Sequence, residues 1–183
     1  MLIFLIIDIV FFAAAIWIYN LLVKDRNQVQ AAWSDIDVQL KRRHDLVPQL
    51  ATTVRAYAKY EKATMIAVTE LRARSEAAAH LPEKAALESE MTAAVNQLIV
   101  IAEDYPELKA DENFRQLQTE LTEIEDNIQY ARRFYNGSVR IFNTRIQSFP
   151  HFIVARLFRF RVAEFFEVTG PEERTSPSVE LSK

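Results

Sequence analysis

From Leu2 to Val23 the chain reads LIFLIIDIVFFAAAIWIYNLLV, an apolar run whose single charge is Asp8. At about 1.5 Å per residue a helix of roughly 22 residues is about 33 Å long, enough to cross the hydrocarbon core of a bilayer. A cleaved signal peptide would carry Lys or Arg ahead of the run and would end near small residues. Here no basic residue precedes the run, which continues past Ala13, Ala14 and Ala15 through Trp17 to Val23, so it reads as a retained anchor. Trp17 and Tyr19 suit an interfacial aromatic belt. Asp8 either reaches the headgroups or faces another copy of the helix, which makes it a candidate intramembrane oligomer contact. Basic residues follow the run at Lys24, Arg26, Lys41, Arg42 and Arg43. The positive-inside bias therefore predicts a single-pass protein with its C-terminal body in the cytoplasm.

Behind the anchor, Val29, Trp33, Ile36, Leu40, Val47, Leu50 and Val54 recur at the spacing of one helix face. The pattern resumes at Val54, Ala58, Met65, Val68 and Leu71, so one helix is predicted from Lys24 to about Ala78, kinked near Val47 by Pro48. Pro82 and Glu83 open a second helix that runs to about Glu103, with Leu87, Met91, Ala94, Leu98 and Ile101 inward. The stretch DYPELKAD interrupts the period, and Asp111 is placed to cap a third helix. There Phe114, Leu117, Leu121, Ile124, Ile128, Ala131 and Tyr135 alternate steps of three and four, Phe142 follows, and Pro150 ends the helix. The segment HFIVARLFRFRVAEFFEV is expected to form a last helix from Phe152 to Phe166, and TGPEERTSPSVELSK a disordered tail. The predicted architecture is all-α: an anchor over 1–23, an antiparallel long-helix, coiled-coil-like bundle over 24–168, and a tail over 169–183.

Composition narrows the function. With 0 Cys among 183 residues there is neither a thiolate nucleophile nor a cysteine-ligated metal, and only 2 Gly leave no phosphate-cradling loop. Neither HExxH nor GxSxG occurs, and no His follows a Glu at the spacing of a bundle di-iron site. Asp35 and Asp37 point about 160° apart on a helix and make no acid–base set with His44 and Asp45. No enzyme, cofactor or metal is expected. A net charge of -3 is too small to suggest a nucleic-acid protein by itself, and beside a membrane anchor no nucleic-acid partner is expected.

Two constellations remain. Arg132, Asn136, Arg140 and Asn143 share one face of the third helix, while Asp37, Lys41, Asp45 and Pro48 share one face of the first. If these faces meet, they form an inter-helix polar network that sets register; otherwise they are two solvated faces. Further on, no Asp or Glu occurs between Ile128 and Val162, yet arginines alternate with phenylalanines. On a helix, Arg156 and Arg159 would share a face, with Phe158, Val162 and Phe165 on another. With Arg161, these residues form a candidate contact with an anionic membrane surface; the alternative is a cap on the bundle core.

The blocks YNLLVKDRNQVQAAWSDIDVQLKRRHDLVPQL, ARRFYNGSVRIFNTRIQSFP and EFFEV resemble the LemA family of bacterial membrane proteins, a likeness running from the anchor to about Val168. Arg26, Asn27, Trp33, Asp35, Pro48, Tyr135, Asn136, Asn143 and Pro150 stand where the family pattern places them, and Phe166–Glu167 matches its final aromatic–Glu pair. The resemblance implies a bacterial source, the cytoplasmic membrane, an N-terminal membrane helix and a helical body. It carries across no catalytic residue. The expected function is self-association that organises or shapes the membrane, with the lipid bilayer and further copies of the chain as partners. The alternative is an adaptor that presents a helical surface to a partner membrane protein such as a protease.

Overall fold

One unbroken helix, α1 (Leu2–Tyr57), carries the apolar run directly into the amphipathic stripe. The computed structural model describes residues 1–57 and 62–167, and α1 is followed by α2 (Lys62–Ala77), α3 (Leu81–Glu103), α4 (Pro106–Ala110), α5 (Glu112–Gln147) and α6 (His151–Leu157). Among the described residues there is no strand, so the fold is all-α. By length and composition the leading part of α1 is long and apolar enough to cross a membrane.

α1 continues through Pro48, where one backbone hydrogen bond is lost. The buried side chains of Val47 and Leu50 hold the helix to its neighbours on either side of the proline. The single helix expected to reach Ala78 is instead two, α1 and α2, with residues 58–61 outside the described part. α2 folds back along α1, so that Val68 joins Leu50 and Val54 in one apolar cluster. A straight continuation would have left Met65, Val68 and Leu71 without a partner, which is the physical reason for the return.

α3 starts on an extended His80 with Pro82 in its first turn, where a missing N–H costs nothing. Asp111 caps α5 as expected: its Oδ1 accepts the Phe114 N–H at 3.0 Å. The α5 stripe is buried through Phe114, Leu117, Leu121, Ile124, Ile128, Tyr135 and Phe142. It packs antiparallel on α1, as contacts along its length show: Asp111 meets Tyr57, Glu125 meets Arg43, Tyr135 meets Trp33, and Arg145 meets Asp25. Burial on α1 reaches back to Ile18 and Leu22, 6% and 0% exposed, so the packed body begins inside the apolar run.

The final segment departs from expectation. α6 ends at Leu157, not Phe166, because a Schellman motif closes it: Phe160 N–H donates to the Ala155 carbonyl at 2.9 Å and Arg159 N–H to Arg156 at 3.3 Å. Arg159 takes the left-handed position of that motif, with φ 56°. Glycine is the favoured residue there, and a non-glycine side chain costs roughly 1 kcal/mol. Beyond it, residues 160–167 have no regular secondary structure and return along α5.

Candidate functional site

The helical stripe of α1 places Arg43 between Leu40 and Val47, at a position that faces the core. Arg43 is accordingly 2% exposed. On α3, Glu88 precedes Met91, Val95 and Leu98 by the same steps and is 3% exposed. The two side chains form an ion pair, and Arg43 Nη2 also donates to the Glu88 carbonyl at 3.1 Å. Arg43 Nη1 donates to Glu125 Oε2 on α5 at 2.7 Å and to Thr92 Oγ1 at 2.7 Å. The other Glu88 oxygen lies 2.8 Å from His44 Nε2 and accepts the Ser75 hydroxyl from α2. This cluster ties α1, α2, α3 and α5 together where the two apolar clusters of the body adjoin.

Burial alone would raise the Glu88 carboxyl. The His44 hydrogen bond, the Arg43 charge and the Ser75 hydrogen bond outweigh it and bring the group down to about 2. Glu88 is therefore a carboxylate and accepts only, which assigns the proton of that contact to His44 Nε2. His44 Nδ1 then faces Glu76 Oε1 at 3.7 Å. The carboxylates around Arg43 already face a cation, and among the described residues no group of His, Cys, Asp and Glu is placed to hold a metal ion.

The second constellation is a strap. Asn143 Nδ2 donates to the Ala163 carbonyl at 2.8 Å and its Oδ1 accepts the Ala163 N–H at 2.8 Å. Asn136 repeats the pattern with Phe166, at 3.0 and 2.9 Å. Seven residues of helix rise about 10.5 Å and three residues of extended chain about 10 Å, so the two asparagines match the 163–166 backbone in step. Tyr135 adds a third tie, donating to the Glu164 carbonyl at 2.8 Å, and burial pushes its phenol up. Phe166, 1% exposed, is thereby seated against Trp33 with Arg132 over its ring at 5.0 Å.

The predicted polar network is thus divided. Asn136 and Asn143 bond the backbone of the returning segment, and Arg132 lies over its Phe166 ring. Asp37 pairs with Lys84 of α3 at 3.2 Å, Asp45 is exposed, and Arg140 is exposed and meets neither aspartate. Arg156, Arg159, Arg161 and Phe158 are exposed as a surface contact requires. They lie on a short helix and a bend, however, not on one helical face, and Phe165 packs against the core. Asp8 is exposed on α1 beside Ile9, Phe12 and Ala13. The Arg43–Glu88 cluster was missed because Arg43 read as a basic flank of the anchor. The available signal was register, since both residues interrupt an apolar stripe at an inward position.

These features define a class: an antiparallel helical body, closed by an asparagine-tied strap, built on one helix whose leading part has membrane-spanning length. The chain belongs to the LemA family, whose model matches residues 32–181. It is similar to Protein LemA of Metamycoplasma hominis, 29% identical over 148 residues that cover 80% of this chain and 68% of that protein. It is also similar to Magnetosome protein MamQ 2 of Paramagnetospirillum magneticum, 24% identical over 185 residues, covering 87% of this chain and 68% of the relative. Arg43, Glu88, Asn136, Asn143 and Phe166 all lie within the matched range.

Proposed function

We propose that this chain is a non-enzymatic organiser of the bacterial cytoplasmic membrane, anchored through α1, with its body on the cytoplasmic side and several copies associated side by side. The observation that carries the reading is an apolar stripe on the outer face of α5. Tyr130, Phe134 and Ile141 are 65%, 53% and 57% exposed, in helical register with Gly137. A Cβ added at Gly137 would meet nothing within 4 Å, so the glycine serves no packing inside the body. A mid-helix glycine costs about 1 kcal/mol relative to alanine, and close approach of a second helix supplies a reason to keep it. Because α1 is continuous from the apolar run into the body, an association of bodies fixes the spacing of the spans. A non-catalytic role suits the buried cluster, whose carboxylate and imidazole are hydrogen-bonded to each other and closed to a substrate.

Gentle detergent extraction followed by sizing and cross-linking tests the reading. The full chain is expected as a homo-oligomer, and Phe134→Glu with Gly137→Leu should shift it toward monomer without loss of helix. A monomer under every extraction condition would overturn self-association. A monomer that co-purifies with one defined membrane protein would instead favour the adaptor role.

A further inference from the structure

We infer that the closing turn of the body is a second membrane contact, α6 and the bend behind it sinking into the bilayer that α1 crosses, with anionic phospholipid headgroups as the ligand of Arg156, Arg159 and Arg161. The inference rests on the anchored reading above and adds a lipid site to it.

The Phe158 ring lies 4.7 Å from that of Tyr19, and the Phe160 ring lies 6.0 Å from it. Tyr19 precedes Lys24, the first charge behind the apolar run, by five residues, a rise of about 7.5 Å along the helix. If Lys24 marks the headgroup boundary, the bend reaches about that far below it, within the ~5–10 Å depth of interfacial elements. Ile18 and Leu22 belong to the same buried apolar cluster as Val154 and Ala155 of α6, so this end of the body packs on the apolar run.

Phe149, Phe152, Ile153, Leu157, Phe158 and Val162 are all exposed within this one turn, Phe149 at 77% and Leu157 at 73%. A cluster of that kind beside water is unusual for a soluble surface and ordinary for one that meets lipid. Arg156, Arg159 and Arg161 are interleaved with these residues in the sequence, are exposed, and make no ion pair among the described residues. Asp25 of α1 is already paired with Arg145. Arg159 stands at the left-handed position where glycine would be easier, so its side chain is kept there against backbone preference. Guanidinium groups hydrogen-bond phosphate in paired fashion, which suits them to lipid headgroups at this level.

The chain has no native cysteine, so single introduced cysteines report depth in the full-length protein. A polarity-sensitive fluorophore would be placed at Leu157→Cys, at Phe12→Cys in the apolar run, and at Asn113→Cys at the far end of α5, in vesicles of phosphatidylcholine with or without phosphatidylglycerol. The Leu157 label should be quenched by a nitroxide on the lipid chains, as the Phe12 label is, and should resist aqueous iodide several-fold better than the Asn113 label. Phosphatidylglycerol should deepen that protection, and R156Q with R159Q and R161Q should remove the increment while circular dichroism stays unchanged. A Leu157 label as open to iodide as Asn113, with Phe12 protected, overturns the second contact and leaves the anchor standing. Phe12 open to iodide overturns the anchored reading and this inference with it. An increment unchanged by the triple variant overturns the assignment of the headgroup ligand to these arginines.

Discussion

Arg43 and Glu88 form an ion pair whose side chains are 2% and 4% exposed, inside a body whose core is mainly apolar. Taking such a pair out of water is costly, and its net worth against an apolar pair is small. Removing one partner is another matter, because it strands a buried charge. Glu88→Leu or Arg43→Met should each destabilise by about 3–5 kcal/mol. The Arg43→Met, Glu88→Leu double variant should lose much less than the two single losses combined. Denaturant unfolding of the four proteins checks this, and strict additivity would mean that the pair is not coupled.

Acid sensitivity follows from the same carboxylate. Unfolded Glu88 takes a proton near its ordinary value of 4.5, whereas in the folded body it does so only at about 2. Between those values the unfolded chain holds more protons, so stability rises with pH. The contribution is full above about 4.5, is lost as pH falls to about 2, and is on the order of 3 kcal/mol. Unfolding at stepped pH should show that slope, and Glu88→Gln should flatten it. An unchanged slope would assign the acid transition to other groups.

The strap should open locally. Asn136→Ala or Asn143→Ala leaves a backbone N–H and carbonyl unpaired, at roughly 1–3 kcal/mol each. Hydrogen exchange should quicken at Phe166 in the first variant and at Ala163 in the second, while the middle of α5 keeps its protection. Uniform loss of protection would show the strap to be inseparable from global stability.

Arg159→Gly separates the fold from the surface. Relieving a left-handed arginine should stabilise the body by roughly 0.5–1 kcal/mol. The same variant should weaken the phosphatidylglycerol-dependent protection of the Leu157 label. Destabilisation would mean that the side chain contributes more to packing than its exposure indicates.

Truncation tests where the body begins. A chain starting at Lys24 lacks Ile18 and Leu22, both buried in the apolar cluster that also holds Phe142, Val154 and Phe166. Loss of a fully buried leucine alone costs about 2–5 kcal/mol. A chain starting just before Ile18 should therefore melt well above one starting at Lys24, with thermal circular dichroism as the measure. Equal midpoints would show that the covered end of α1 adds nothing to the body.

What the sequence alone determined is what neighbours along the chain decide. The spacing of Phe114, Leu121, Ile128 and Tyr135 specified one buried face, Asp111 specified a helix start, and Pro150 specified an end. Each rests on local geometry that the fold had only to accept. The apolar run of α1 belongs with these, because its length and composition are properties of one segment. Family membership was legible too, in blocks spread over most of the chain.

Tertiary structure decided the partners. Arg43 on an inward register is compatible with a bend, a solvated gap or a buried pair, and only Glu88 arriving from α3 and Glu125 from α5 select the last. Asn136 and Asn143 were placed on one face correctly, yet their partners are backbone groups of Ala163 and Phe166. Every residue carries the same N–H and carbonyl, so no side-chain pattern announces such a partner. The bend at Arg159 was hidden for a related reason: the turn needs the left-handed conformation, glycine would have advertised it, and an arginine does not. Sequence patterns record what a residue prefers, whereas these contacts depend on which distant segment arrives to meet it.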